Sequence, residues 1–376
     1  MMKYRLMAPG PTPVPEDVLT EMAKPIPHHR TPTFEKIVAE VQAGLKWLYQ
    51  TKNDVVVLAS SGTGAMEACL SNALCTGDSV LVVNGGKFGE RFGKIAKAFG
   101  LKADLIDVKW GHAVDSSAVQ AKLVSGDYRA VCVQASETST GVAHPVKEIS
   151  EIVRQYPNTL LIVDAITALG VVNIPTDEWG IDMVICGSQK ALMLPPGLAT
   201  VSVSDKAWSF IEKSNIPKFY FNLKSERKVL AQNTTAWTPA VSLMIGLKTA
   251  LESMKKEGLE QMFVRHEKMA SGIRSAAKAI GLKLYAPEAP SNSCTAICAP
   301  EGVDSSKLVK GLRDKFNMTI ADGQDDAKGK IFRIGHLGYF DMLDMVSCWA
   351  AVEKQLFDLG YKFELGKGVG EILKLM

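Results

Sequence analysis

Ile181-Asp-Met-Val-Ile-Cys-Gly-Ser-Gln-Lys190 joins a mostly apolar run to a polar turn, and Pro195-Pro196-Gly197 closes the turn. A short apolar run bounded by turn residues is typical of a strand buried in a parallel sheet. Lys190 is therefore predicted at the carboxyl end of a rigid strand. Beside a partly desolvated pocket, a lysine amine there stays reactive, can hold an aldehyde cofactor as an imine, and can move a substrate proton.

A second buried-strand run, Leu160-Leu-Ile-Val-Asp164, ends in a carboxylate. An acid at that place can pair with a pyridinium nitrogen, the partner that pyridoxal phosphate needs if its ring is to act as an electron sink. Taken alone, a lysine after a strand is usually a solvated residue, and an aspartate there is often only a helix cap. Both residues together, with a phosphate loop upstream, favour the catalytic interpretation.

Short β-branched runs alternate with helical patterns through the first part of the chain. The apolar runs are Val55–Leu58, Ser79–Val83, Ala130–Val133, Leu160–Val163, Met183–Cys186 and Thr200–Val203. Amphipathic stretches such as Val146–Tyr156 separate them. This alternation predicts an α/β fold with a mostly parallel sheet covered on both faces, which binds ligands at the carboxyl ends of its strands.

The rhythm changes after Pro239, where a long helical pattern runs to about Ile280 with an interruption at Gly258. Beyond it the sequence predicts strands at Tyr285–Pro290, Cys294–Ala299 and Ile331–Ile334, and helices near Ser305–Phe316 and Asp341–Leu359. We therefore predict a large domain over residues 1–258, with an N-terminal arm over 1–15, and a smaller α+β domain over 259–376.

Ala59-Ser-Ser-Gly-Thr-Gly-Ala65 lies between a predicted strand and a predicted helix. Small residues let backbone amides approach an anion, and a helix N-terminus adds partial positive charge. The loop lacks the Gly-Lys-Ser/Thr of a nucleotide P-loop and the third glycine of a dinucleotide fingerprint, so a monophosphate fits it better than a nucleotide. Ala135-Ser-Glu-Thr-Ser-Thr-Gly141 ends another strand and offers hydroxyls to the cofactor, although a simple Ser/Thr turn explains any one of them equally well.

The composition excludes several classes of partner. The 376 residues are 47% hydrophobic and 22% charged, with a net charge of +3 and both signs mixed along the chain. No apolar run reaches the roughly 18 residues of a membrane span. The seven cysteines lie mostly inside apolar runs and form no Cys-x-x-Cys pair, which indicates reduced thiols. We expect a cytoplasmic protein with no nucleic-acid and no membrane partner.

Several motifs together resemble the class V aminotransferases of the fold type I pyridoxal-phosphate superfamily, in the alanine/serine:glyoxylate aminotransferase group. They are Pro9-Gly-Pro-Thr12, Ser61-Gly-Thr-Gly64, Asn84-Gly-Gly-Lys-Phe-Gly-Glu-Arg91, Glu137-Thr-Ser-Thr-Gly141, Val163-Asp164, Gly187-Ser-Gln-Lys-Ala191, Pro195-Pro-Gly197 and Phe332-Arg-Ile-Gly-His-Leu-Gly338. The resemblance runs nearly end to end and implies pyridoxal 5′-phosphate as the cofactor.

The resemblance also implies the roles of individual residues, with Lys190 and Asp164 catalytic. The implied cofactor-binding residues are Thr63, Gly64, Ala65, Phe88, Thr138, Asp164, Gln189, Lys190, Thr235 and Thr238. In the family, the segment containing Thr235 and Thr238 reaches the phosphate of the neighbouring subunit, which implies a homodimer with shared active sites. Ala65 and Phe88 depart from relatives that carry His and often Trp there.

Arg333 and Gly10 resemble the residues that bind the substrate. A planar guanidinium holds a carboxylate bidentately at any relevant pH, and the apolar neighbours of Arg333 favour its burial with a partner. A lone strand arginine is otherwise more often a surface residue.

These residues predict a ping-pong transaminase that moves an amino group from serine or alanine to glyoxylate or a similar keto acid. Two alternatives remain open. A cysteine desulfurase or related lyase would need a reactive cysteine on a loop, whereas Cys294 and Cys298 lie in a predicted strand. Some members of the resembling group are labelled as soluble-hydrogenase subunits, so a non-catalytic subunit of a redox complex is the other alternative.

Overall fold

The computed structural model describes residues 2–376. Its strands are β1 (Arg5–Leu6), β2 (Asp54–Leu58), β3 (Ser79–Asn84), β4 (Lys102–Asp107), β5 (Ala130–Gln134), β6 (Ser136–Glu137), β7 (Val142–Ala143), β8 (Leu160–Asp164), β9 (Met183–Gly187), β10 (Ala199–Val203), β11 (Cys294–Cys298), β12 (Met318–Thr319), β13 (Ala321–Asp322) and β14 (Ile331–Gly335). Its helices are α1 (Glu16–Met22), α2 (Pro32–Tyr49), α3 (Gly62–Ala73), α4 (Lys87–Ala98), α5 (Ser116–Ser125), α6 (Val146–Val153), α7 (Thr176–Trp179), α8 (Asp205–Ile211), α9 (Leu223–Leu230), α10 (Val241–Glu257), α11 (Leu259–Ala279), α12 (Ser305–Phe316), α13 (Met342–Asp358) and α14 (Lys367–Leu373).

The central sheet has seven strands in the order β2-β10-β9-β8-β5-β3-β4. Its strands run parallel except β10, which is antiparallel to both β2 and β9. The predicted α/β fold with a mostly parallel sheet is therefore confirmed. Asp164 is in register with Ile185 of β9, so the carboxyl ends of β8 and β9 lie side by side.

Helices cover both faces of the central sheet. Val131 and Val163 pack into a core formed with α2, α5, α6 and α10. Cys132 and Ile162 pack into the opposite core, formed with α3, α4 and α8. Successive side chains of a strand point to opposite faces, and burial on both faces explains why these strands read as continuous apolar runs.

A further core lies in the last third of the chain, where α11 to α14 pack with the antiparallel sheet β11-β14-β13. Met7 belongs to this core, and β1 pairs in parallel with β12. The N-terminal arm thus packs against residues near the other end of the chain. Gly258, with φ of +86°, joins α10 to α11. The domain boundary after residue 258 stays a prediction.

β4 is the strand of the central sheet that the sequence does not predict. It is an edge strand whose side chains are half-buried or exposed, so it lacks a continuous apolar run. The predicted strand at Tyr285–Pro290 is wrong, since that segment forms bends between two isolated bridges. Pro287 and Pro290 remove two backbone donors that a strand ladder needs.

The predicted helices of the last third are confirmed, and side chains mark where two of them begin. Asp304 accepts a hydrogen bond from the amide of Ser306 at the start of α12, and Asp341 forms a capping box with Asp344 at the start of α13. Over residues 2–376, none of the helices combines the length and the apolar character that crossing a membrane requires.

Candidate active site

Lys190 follows β9 at the point where the chain turns away from the sheet. Its amine donates a hydrogen bond to the carbonyl oxygen of Pro9 at 2.8 Å, and the hydroxyl of Thr12 donates to the carbonyl oxygen of Lys190 at 2.9 Å. The N-terminal arm therefore lies across the lysine. Burial lowers the pKa of Lys190 to about 8, and the nearby positive charge of Arg333 acts in the same direction.

Asp164 is the buried last residue of β8. Its Oδ1 accepts a hydrogen bond from the amide of Ile166 at 2.9 Å. Burial raises the pKa of Asp164 to about 7, and the negative charge of Glu137 adds to this effect, whereas the charge of Lys190 opposes it. A carboxylate held this deep is stabilised when a cationic or N–H partner reaches it.

The predicted phosphate loop lies at the N-terminus of α3. Ser61 is the N-cap in an extended conformation and makes no side-chain capping bond. A Cβ on Gly64 would lie 1.9 Å from the hydroxyl oxygen of Ser60, so a larger residue there would require the Ser60 side chain to move. Ala65 is buried, and Thr63 Oγ1 accepts a hydrogen bond from Arg91 at 3.0 Å. Helix N-termini attract anions, and Arg91 adds a full positive charge.

Phe88 lies in the first turn of α4 and is half-buried. The guanidinium carbon of Arg91 stands 4.9 Å from the centre of its ring. The amide of Phe88 donates a hydrogen bond to Glu137 Oε2 at 3.1 Å. Arg91 therefore connects the aromatic ring to Thr63 of the phosphate loop.

Arg333 is buried in β14, where three of its N–H groups are engaged. Nε and Nη2 donate to the carbonyl oxygen of Asp322 at 3.1 and 2.7 Å, and Nη1 donates to the carbonyl oxygen of Thr138 at 3.0 Å. A guanidinium has five N–H donors, so two are not engaged by the described residues. The hydroxyl of Thr138 shares a hydrogen bond of 3.1 Å with that of Thr167.

Gly10 and Gln189 flank the lysine. Gly10 has φ of +132°, and a Cβ on it would lie 1.9 Å from Lys190 Nζ, so only glycine lets the arm pass so close to the amine. Gln189 Oε1 is buried and has no hydrogen-bond partner among residues 2–376. An acceptor without a partner in a protein interior is a place where a ligand donor or a water can bind.

Thr235 and Thr238 lie beside the first residue of the predicted phosphate loop, away from Lys190. They line a cavity with Ala59 and Tyr220. The hydroxyl of Thr235 donates to the carbonyl oxygen of Trp237 at 2.7 Å, and the Thr235 carbonyl oxygen accepts from Arg30 at 2.7 Å. None of the hydrogen bonds of these two threonines within residues 2–376 reaches the cluster around Lys190.

Glu137, Arg91 and Pro9 touch the site residues but are absent from the predicted set. Each lies inside a motif quoted from the sequence, so its motif was recognised and its contact was not. A charged residue within a strand-end turn is the signal that points to Glu137. The carbonyl contact of Pro9 has no sequence signal, because every residue of the chain offers the same backbone acceptor.

A model of the family "Aminotransferase class-V" matches residues 6–336 of the chain. The chain therefore belongs to the class-V aminotransferase family. Membership implies a transaminase that uses pyridoxal 5′-phosphate and takes amino-acid and oxo-acid substrates.

The relatives carry different names. The chain is 45% identical to the "Soluble hydrogenase, small subunit" of Synechococcus sp. (strain PCC 6716), over 100% of this chain and 98% of that protein. It is 35% identical to the L-aspartate–glyoxylate aminotransferase of Paracoccus denitrificans (strain Pd 1222), over 97% of this chain and 94% of that protein. It is 36% identical to the serine–glyoxylate aminotransferase of Hyphomicrobium methylovorum, over 97% of this chain and 92% of that protein.

A solved structure shares the whole architecture. The ureidoglycine–glyoxylate aminotransferase of Bacillus subtilis superimposes with a TM-score of 0.95 at 28% identity, over 100% of this chain and 98% of that one. The predicted fold type I architecture is therefore confirmed.

Proposed function

We propose that the protein transfers an amino group from serine or alanine to glyoxylate, with pyridoxal 5′-phosphate as cofactor and by a ping-pong mechanism. One observation carries the proposal. A half-buried lysine with a lowered pKa, Lys190, and a buried carboxylate, Asp164, stand at the carboxyl ends of the adjacent strands β9 and β8. The free cysteines fit a reducing, cytoplasmic compartment.

The residues present fit the cofactor. The amides at the start of α3 and the charge of Arg91 suit its phosphate, and the ring of Phe88 suits stacking on its pyridine. The buried carboxylate of Asp164 suits a protonated ring nitrogen, and the unpartnered Oε1 of Gln189 offers an acceptor beside the lysine. By the family resemblance, Thr138, Gly64 and Ala65 complete this set.

Lys190 would hold the cofactor through its amine and, once an amino donor displaces it, would move the proton from the donor α-carbon. Its lowered pKa supplies the neutral amine that both tasks need near neutral pH. Asp164 would keep the ring nitrogen protonated. When bound, pyridoxal 5′-phosphate supplies the aldehyde and the ring that accepts negative charge from the α-carbon.

Arg333 would bind the substrate carboxylate through its two unengaged N–H groups, and Gly10 would leave space for it above Lys190. Arg91, the other guanidinium near the site, lies at the phosphate loop through its hydrogen bond to Thr63, where its charge suits the cofactor phosphate. Arg333 is then the one arginine available to bind a substrate carboxylate. An amino acid with a second carboxylate would lack a partner for it, which favours an amino donor with a small uncharged side chain.

We also propose a homodimer in which Thr235 and Thr238 reach the phosphate of the partner subunit. An exposed aromatic cluster beside them supports this proposal. The rings of Phe219 and Trp237 stack with centroids 5.0 Å apart, and Phe219 and Tyr220 remain 77% and 46% exposed in the single chain. Exposed aromatic clusters of this kind mark interaction surfaces.

The visible spectrum of the protein loaded with pyridoxal 5′-phosphate tests the function. We expect the cofactor band to bleach with L-serine or L-alanine and to return with glyoxylate, which would record both half-reactions. Activity with aspartate, but with neither serine nor alanine, would overturn the assigned donor. A band that no amino acid changes would overturn the transaminase proposal.

The alternatives gain no support from the site. Cys294 lies buried in β11, and burial raises its pKa to about 11, opposite to what a desulfurase nucleophile needs. Cys298 is half-buried in the same strand.

Among residues 2–376, no group of three or more potential ligands is placed to hold a metal ion. Copurification with a metalloprotein would revive the redox-subunit alternative.

A further inference from the structure

Glu137 is fully buried at the end of β6, and the donors on its carboxylate are backbone amides and a hydroxyl. Oε2 accepts hydrogen bonds from the amides of Phe88 and Gly89, both at 3.1 Å. Oε1 accepts from the amide of Ser139 at 3.2 Å and from its hydroxyl. Burial raises the pKa of Glu137, and these donors act against the rise.

Glu137 supplies hydrogen-bond acceptors to backbone amides at the N-terminus of α4, which have no acceptor within the helix. The N-cap of this helix is Gly86, which has no side chain to cap the first amides. Glu137 binds two of these amides, and the Ser139 hydroxyl accepts a hydrogen bond from the third, that of Lys87, at 3.0 Å. A turn distant in sequence therefore caps the helix that carries Phe88.

Glycine at position 86 makes this close approach possible. A Cβ there would lie 2.5 Å from the carboxyl carbon of Glu137 and 2.4 Å from Ser139 Oγ. A carboxylate at a helix N-terminus also interacts favourably with the helix dipole.

The same turn holds the candidate substrate-binding arginine on its other side. The carbonyl oxygen of Thr138 accepts a hydrogen bond from Arg333 Nη1 at 3.0 Å. Glu137 thus lies between two groups on separate elements: Phe88 on α4 and Arg333 on β14.

We propose that Glu137 is a positioning residue, which fixes Phe88 and Arg333 in relation to each other through the turn at residues 137–139. The aromatic ring proposed to stack on the cofactor and the guanidinium proposed to bind the substrate carboxylate are then both tied to this one turn. The roles of Phe88 and Arg333 rest on the proposed function, whereas the capping contacts do not.

Glu137→Gln is the variant that tests this role, because an amide keeps the shape of the carboxylate and replaces one acceptor oxygen by a donor. Either the amides of α4 or Ser139 would then face an N–H group. Glu148→Gln is the control, since Glu148 is exposed on α6. Ser139→Ala is a milder second variant, which removes one hydroxyl from the same turn.

The apoprotein provides a readout that is independent of activity. In Glu137→Gln one of the two acceptor positions becomes an N–H group. We expect hydrogen exchange to accelerate by about tenfold or more either at the amides of Phe88 and Gly89 or at the amide of Ser139, and to be unchanged at all three in Glu148→Gln. Unchanged exchange at all three amides in Glu137→Gln would overturn the capping role whether or not the protein is a transaminase.

The loaded protein tests positioning beyond capping. We expect Glu137→Gln to raise KM for the amino donor by about tenfold and to reduce the visible circular dichroism of the bound cofactor, with a smaller effect in Ser139→Ala. A lower melting temperature with unchanged KM and unchanged dichroism would overturn the proposal and leave Glu137 a residue of stability alone. Failure of the wild type to react with any amino acid would instead count against the proposed function.

Discussion

Lys190 and Asp164 have pKa values displaced towards each other by the same cause. Burial disfavours the charged form of both, so it lowers the pKa of the amine to about 8 and raises that of the carboxyl to about 7. The neutral amine of Lys190 is therefore more accessible near neutral pH than that of an exposed lysine. A lysine that accepts and returns a proton benefits from this condition.

The lowered pKa of Lys190 predicts how fast the apoprotein takes up its cofactor. Only the neutral amine attacks an aldehyde, so the rate of band formation should rise about tenfold from pH 7 to pH 9 and level off through the pKa of about 8. Stopped-flow absorbance after adding pyridoxal 5′-phosphate measures this rate. The Lys190→Ala variant is the control, and a rate that keeps rising past pH 10 would show an ordinary lysine.

Single residues of the site differ in how well the sequence predicts them. Lys190 and Asp164 are predictable because each follows a buried run, and the carboxyl ends of parallel strands share one edge. The role of Glu137 cannot be predicted in this way, because the amides that bind it, those of Phe88 and Gly89, belong to a helix nearly fifty residues earlier in the chain. Only the folded chain brings that turn and that helix together.

At the scale of elements, doubly buried strands are the easiest to predict. β5, β8 and β9 are buried throughout and mostly apolar, because helices cover both faces. β10 is also buried throughout, with Thr200 and Ser202 between its apolar residues, and its antiparallel direction is not predicted from the sequence. β4 escapes prediction because an edge strand is only partly covered, so its side chains are mixed.

The close contact between the N-terminal arm and Lys190 can be tested by adding one methyl group at Gly10. Gly10→Ala places a Cβ against Lys190 Nζ, so we expect the dissociation constant of the cofactor to rise about tenfold or more. Gly77→Ala is the matched control, because Gly77 also has a positive φ but has no atom near its missing Cβ.

Equilibrium titration with pyridoxal 5′-phosphate measures the effect on both glycine variants. Equal weakening in the two would show that backbone strain, rather than the contact with Lys190, accounts for the result.

At the scale of the whole molecule, the exposed aromatic cluster predicts assembly. Phe219→Ser should raise the dissociation constant of the homodimer by about thirtyfold, since truncating an aromatic anchor at an interface typically removes at least 2 kcal/mol. Val124→Ser is the control, because Val124 is 75% exposed on α5 without aromatic neighbours in the cluster. Sedimentation velocity over a concentration series measures both, and equal dissociation constants would contradict the interface.

The pairing of the two ends of the chain is a property that no local pattern could predict. β1 and β12 are two-residue strands, each too short for a periodicity, and more than three hundred residues separate them. The amide of Gly335 donates to the carbonyl oxygen of Met7 at 2.8 Å, again across nearly the full length. Contacts of this range become visible only when the whole fold is known.

That pairing has a consequence for biosynthesis. On the ribosome the arm is synthesised before the large sheet, whereas the strands that anchor it, β12 and β14, are synthesised after that sheet. The large sheet can form on the nascent chain before β12 and β14 are made, because its strands all precede residue 204. Lys190 would thus be in place before the arm can hold the Pro9 carbonyl oxygen against its amine. The order of synthesis therefore predicts that the arm docks over the lysine after the large sheet has formed.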